Sequence, residues 1–188
     1  VKRVKDARKS AGYALLLIAI LSTLTFFVLR FALSESRDTG KIVNISGNQR
    51  MLSQHILLNL HRLDSYKTEE SAMNPQEIIN HLKRDLRDME SANNALSSGN
   101  LSLNKKYTLS KKIKNIYFGD INLYQRTQNF IDTIREILEA KNKTQTKQLL
   151  SQLDAMSEIF LNDLNTLVLE YEKEGEKKLR NMYIIEII

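Results

Sequence analysis

The residues best placed to do chemistry lie in one stretch, Asn44-Ile-Ser-Gly-Asn-Gln-Arg-Met-Leu-Ser-Gln-His-Ile56. Arg50 sits there among apolar positions that mark a packed helical interface. A cation is costly to bury, so a helix that aims one at its own interface needs an anion or a carboxylate to meet it. Two copies of this helix, side by side, would bring two guanidinium forks around one small planar anion. The other reading of Arg50 is an ion pair inside the protein, with Asp38 or with a carboxylate on the last helix. Helical geometry sorts the neighbours. Gly47 and Gln54 fall on the Arg50 side, whereas His55 lies five residues on, about 140° round the axis at 3.6 residues per turn.

The rest of the chain carries no catalytic or metal-binding signature. His55, His61 and His81 have neither zincin spacing nor thiol or acidic clusters beside them as ligands, so they read as surface or core-edge residues. No metal and no cofactor is expected, nor an enzyme activity in these residues. Gly47 and Gly119 stand alone within helical patterns rather than in a phosphate-binding loop. Asn44, Asn100 and Asn142 open sequons of the kind that arise by chance in an Asn-rich chain. The acid pair Asp154 and Glu158 is spaced for a solvated helix face.

Arg50 has to be held by helices, and the composition supplies them. Among 188 residues there are one Pro, six Gly, no Cys and no Trp. The lack of Cys excludes disulfides and thiolate metal sites and is compatible with any redox compartment. The net charge of +6 does not point to nucleic acid, because Lys2, Arg3, Lys5, Arg8 and Lys9 account for most of it. The remaining basic residues alternate with acids along helices.

Those five residues flank a membrane segment. From Ser10 to Leu29 no residue is charged. Twenty residues at 1.5 Å each span about 30 Å, the thickness of a bilayer core. The run is too long for a signal-peptide core, and no small-residue cleavage site follows it. Positive segments stay in the cytoplasm, which places residues after Arg30 outside. Met182-Tyr-Ile-Ile-Glu-Ile-Ile188, preceded by Lys177, Lys178 and Arg180, reads as the start of a second span, with Glu186 as an interfacial carboxylate. The expected layout is a cytoplasmic N-terminus (1–9), a first span (10–30), an outer domain (31–181) and the threshold of a second span (182–188).

Punctuation divides the outer domain into four helices. The first carries Ile42, Ile45, Leu52, Ile56, Leu60 and Leu63 at coiled-coil-like spacing and frays from Ser65 to Met73. Asn74-Pro75-Gln76-Glu77 opens the second with an Asn cap, Pro at the first position and an acid in the first turn, and Gly99 stops it. The third carries Ile113, Tyr117, Tyr124, Ile131, Ile134 and Leu138. After the polar stretch Lys141 to Thr146, the fourth carries Leu149, Leu153, Met156, Phe160, Leu164, Leu167 and Tyr171. The predicted fold is all-α: a membrane-anchored, antiparallel four-helix bundle, up-down-up-down, whose first and last helices run on into the membrane spans.

Asn44-Ile-Ser-Gly-Asn-Gln-Arg-Met-Leu-Ser-Gln54 resembles the signature of the type IV pili methyl-accepting chemotaxis transducer N-terminal domain. It is more distantly similar to the signature helix of bacterial nitrate/nitrite sensor kinases. Leu149-Leu-Ser-Gln-Leu-Asp154 and Tyr171-Glu-Lys-Glu-Gly175 are like the last helix of those domains. The resemblance implies a dimeric periplasmic sensor bundle in the bacterial inner membrane, binding nitrate or a similar small anion between its first helices. Its output would be a histidine kinase, a chemoreceptor or a diguanylate cyclase. It also implies roles. Arg50 matches the anion-gripping arginine, and Gly47 the glycine that lets the ligand approach the backbone. His55 stands where the family often has a second arginine, and Ile45 where nitrate sensors have a lysine. The expected ligand-binding residues are Arg50, Gly47, Gln54, Ser46 and His55. The expected partners are the anion, a second copy of the chain and the lipid bilayer, with no nucleic acid. A bundle that binds a partner protein, or that only dimerises a membrane-bound signalling protein, is the other class.

Overall fold

The computed structural model describes residues 2–66, 74–102 and 105–186 and is helical apart from one short ribbon. Its elements are α1 (Lys2–Tyr66), α2 (Pro75–Ser98), β1 (Asn100–Ser102), β2 (Lys105–Lys106), α3 (Lys111–Phe118), α4 (Leu123–Glu139) and α5 (Lys143–Glu186). The residues fall into two compact units, Lys41–Glu174 and a smaller one of Val1–Gly40 with Gly175–Ile188.

In the smaller unit, α1 is long and apolar enough to cross a membrane. From Tyr13 to Leu33 its Leu, Ile and Phe side chains are more than half exposed, as suits a helix that meets hydrocarbon instead of a protein core. A Cβ on Gly175 would press on the Thr39 side-chain methyl, so the missing side chain lets α5 approach α1 there. The expected second span falls on 182–188, where 187 and 188 lie outside the described residues.

The larger unit has one hydrophobic core, to which α1 gives Ile42, Ile56 and Leu60, and α2 gives Leu82 and Met89. Tyr117 of α3, Phe130 and Ile134 of α4, and Leu153, Leu164 and Leu167 of α5 complete its centre. Polar contacts fix the helix directions. Arg50 meets Asn165 and His61 meets Asp154, so eleven residues along α1 match eleven back along α5. Arg126 meets Asp163 and the Phe130 ring stacks on Phe160 at 4.6 Å, which makes α4 and α5 antiparallel too. Glu90 meets Arg135 and Asn94 meets Tyr124, so α2 and α4 also oppose each other. His55 ties α1 to α2 through Asp85.

Local chemistry accounts for most boundaries. Asn74 Oδ1 accepts from Gln76 N at 2.9 Å, with Pro75 at the first helical position, as expected. Gly99 ends α2 at φ 73, and a Cβ there would collide with the Tyr107 carbonyl oxygen. Asn142 Oδ1 accepts from Gln145 N at 2.8 Å and starts α5. That start falls inside the polar stretch Lys141 to Thr146, after which the sequence placed the fourth helix.

Three features differ from the sequence expectation. The third helix is two helices, because Asn122 takes a left-handed conformation (φ 50) between α3 and α4. The link after Gly99 pairs into an antiparallel ribbon with Asn100 opposite Lys106. The helical part of α1 includes Ser65 and Tyr66, and the rest of the stretch expected to fray, 67–73, lies outside the described residues.

At one end of the core, Glu174 accepts from Tyr107 Oη at 3.1 Å and from Ser110 Oγ. Ser110 also caps α3, accepting from Ile113 N at 3.2 Å. Tyr117 and Tyr171 lie beside this knot, and burial raises the pKa of both phenols above its ordinary value.

Candidate functional site

Two interleaved seams run along α1 in the larger unit. Ile42, Ser46, Gln49, Ser53, Ile56 and Leu60 alternate steps of four and three and are all buried. Asn44, Met51, Gln54 and Leu58 form an outward seam with the partly exposed Gly47, at steps of three and four. Met51 and Leu58 are apolar there yet 54% and 49% exposed. A Cβ on Gly47 would meet nothing within 4 Å among the described residues, so none of them requires a glycine there. Glycine inside a helix costs about 1 kcal/mol against alanine.

Arg50 lies on the flank between the two seams, towards α5. It is exposed, and Nη1 donates to Asn165 Oδ1 at 3.2 Å. The partner is a neutral amide. Among the described residues no carboxylate forms an ion pair with the guanidinium, whose five N–H donors exceed the one bond it makes there. Gln54 is exposed on the same outer side.

The other two candidates go elsewhere. Ser46 is fully buried, and its hydroxyl donates to Val43 O at 2.9 Å. His55 sits on the opposite flank, where Nδ1 donates to Asp85 Oδ2 at 2.6 Å and Asn59 Nδ2 donates to Nε2 at 3.3 Å. Asp85 is 4% exposed, so this imidazole satisfies a buried carboxylate. The structure therefore gathers Gly47, Arg50 and Gln54 on one accessible surface and separates Ser46 and His55 from it. The histidines are dispersed as well, His61 pairing with Asp154 at 3.0 Å and His81 lying 3.9 Å from Glu77.

Two residues matter here that sequence reasoning passed over. Asn165, on α5, becomes visible only once the α1–α5 register is known. Gln49 is fully buried, with neither amide atom hydrogen-bonded among the described residues. Its signal was legible, since stepping by fours and threes from Ile42 lands on Ser46, Gln49 and Ser53 before Ile56.

No curated protein and no solved structure matches the chain. Residues 31–118, which contain Arg50, Gly47 and the other three candidate residues, match the family model described as the type IV pili methyl-accepting chemotaxis transducer N-terminal region, and over that stretch the chain is similar to the sensory part of a chemotaxis transducer.

Proposed function

We propose that this chain is the ligand-sensing region of a bacterial transmembrane signalling receptor. In this reading Lys41–Glu174 is an antiparallel four-helix bundle in the periplasm, carried by the inner membrane on α1. It works as a homodimer, and a small anion, nitrate or a similar species, binds where the two copies of α1 meet.

The observation that carries this reading is the setting of Arg50. An exposed guanidinium held by an amide keeps its charge available, and it borders a seam of Gly47, Met51, Gln54 and Leu58 that the described residues leave accessible. Across a two-fold axis, two such forks supply enough donors to surround a planar anion. Gly47 leaves room for close approach, and Gln54 offers an amide beside it. Signalling then follows from the difference in anion contacts between two α1 packings. Helices that run through the membrane carry that difference as a shift of about 1–2 Å.

Calorimetric titration of the 188-residue chain with nitrate, nitrite and other small anions tests the reading. At a hundredfold excess over the dissociation constant, the anion should stabilise the wild type by about 2.7 kcal/mol. Arg50→Ala should remove that gain and leave helicity unchanged. A folded, dimeric protein that ignores the whole panel would sink the anion reading. It would favour the second one, a dimerising or partner-binding bundle, for which the exposed Met51 and Leu58 suffice.

A further inference from the structure

The interior of the larger unit contains a polar level that the Arg50 site does not use. Gln49 is fully buried, and neither its Nε2 nor its Oε1 has a hydrogen-bond partner among the described residues. Asn93 on α2 is fully buried too. Its Nδ2 donates to Tyr124 O at 3.4 Å, and its Oδ1 has no partner among the described residues.

Helix registers place the two amides at one height. Asn93 contacts α4 at Tyr124, two residues before Arg126, which pairs with Asp163 on α5. Two residues on, Asn165 meets Arg50, the neighbour of Gln49. The α1–α2 contact agrees. His55 lies six residues after Gln49, and its partner Asp85 lies eight before Asn93 on a helix running the other way. Gln49 and Asn93 thus face the same core within about one helical turn.

Around them the apolar core also holds buried hydroxyls and carries no net charge. Ser46 and Ser53 flank Gln49 on the same seam, their hydroxyls donating to Val43 O and Arg50 O. Thr127, also fully buried, donates to Leu123 O. Each of these hydroxyl oxygens keeps lone pairs that can accept. Arg126 and Asp163 neutralise each other at 2.7 Å.

A buried amide without a partner costs about 1–3 kcal/mol per group, and native interiors meet such groups with enclosed water that makes two to four hydrogen bonds. A donor and two acceptors on two amides, with hydroxyl oxygens nearby and no net charge, suit a neutral molecule that both donates and accepts. We propose that Gln49 and Asn93 form an internal hydration site, in which one or two enclosed waters bridge α1 to α2 behind the Arg50 surface. Water-mediated bonds re-form after small displacements more readily than apolar packing does. This level is therefore where α1 can shift against its neighbours without losing its hydrogen bonds.

The test uses the full 188-residue chain in detergent micelles without added anion, so its outcome does not depend on the anion reading. Melting midpoints are compared for wild type, Gln49→Leu, Asn93→Leu and the double variant. If both amides share the bridge, each single change strands the other amide and lowers the midpoint, whereas the double variant recovers to at least the level of the better single. Additive losses would overturn the proposal. Should Gln49→Leu fail to fold, Gln49→Met, of nearly equal length, replaces it. In addition, side-chain amide protons of Gln49 should show magnetisation transfer from long-lived bound water by NMR. Coupled stabilities without that transfer would mean that the two amides bond directly, which also overturns the hydration site.

Discussion

At the scale of single residues, the decisive pair is Arg50 with Asn165. An amide fixes the guanidinium without consuming its charge, whereas a carboxylate in the same place would compete with any external anion. Asn165→Asp should therefore weaken anion binding at least tenfold in a titration while leaving circular dichroism unchanged. An unaltered affinity would detach Arg50 from the ligand. The buried phenols make a separate, pH-dependent prediction. Burial raises the pKa of Tyr117 and Tyr171, so the folded state holds these protons more tightly than the unfolded chain, whose tyrosines titrate near pH 10. Their contribution is fully present below about pH 10 and is lost as pH climbs towards the raised values. Alkaline unfolding followed by tyrosine absorbance should begin above about pH 10, and Tyr117→Phe should move it upward. The sequence displayed Arg50, Gly47 and Gln54 on one side by helical angle alone. It gave no hint that His55 serves Asp85, because that pairing depends on how α2 lies against α1.

Among the elements, those with strong end signals were legible. Asn74 with Pro75 and the left-handed Gly99 are local instructions, and α2 obeys both. The division of α3 from α4 was hidden for a physical reason. Tyr117, Tyr124 and Ile131 keep a seven-residue spacing straight through the break, so periodicity reads one helix where there are two. The interruption rests on a few residues ending at Asn122, whose φ of 50 a short polar side chain tolerates and a β-branched one does not. Asn122→Val should cost about 1–3 kcal/mol in chemical denaturation. If stability is unchanged, the break is not set by that backbone conformation. The ribbon of β1 and β2 was equally hard to foresee, since a few residues of unremarkable β propensity pair only because Gly99 turns the chain back on Tyr107.

At the scale of the whole molecule, α1 buries one face in the core of the larger unit and leaves the other, with Met51 and Leu58, exposed, the pattern that the proposed parallel dimer needs. Single cysteines placed from Asn44 to Leu58, in a chain that has none, should crosslink in membranes at 44, 47, 51, 54 and 58. They should fail at the core positions 46, 49, 53 and 56. Crosslinks confined to α4, or none at all, would remove the shared interface. The outward seam also has a chemical weak point. Met51 is more than half exposed, while Met89 is fully buried, and no thiol in the chain can intercept an oxidant. Peroxide would turn the Met51 thioether into a polar sulfoxide and leave the core untouched. In the proposed dimer, oxidative stress would then be registered as a loosening of the pairing between copies, well before any helix unfolds, and the dimer fraction of the cysteine-free chain, read by sedimentation in detergent, should fall in step with sulfoxide formation.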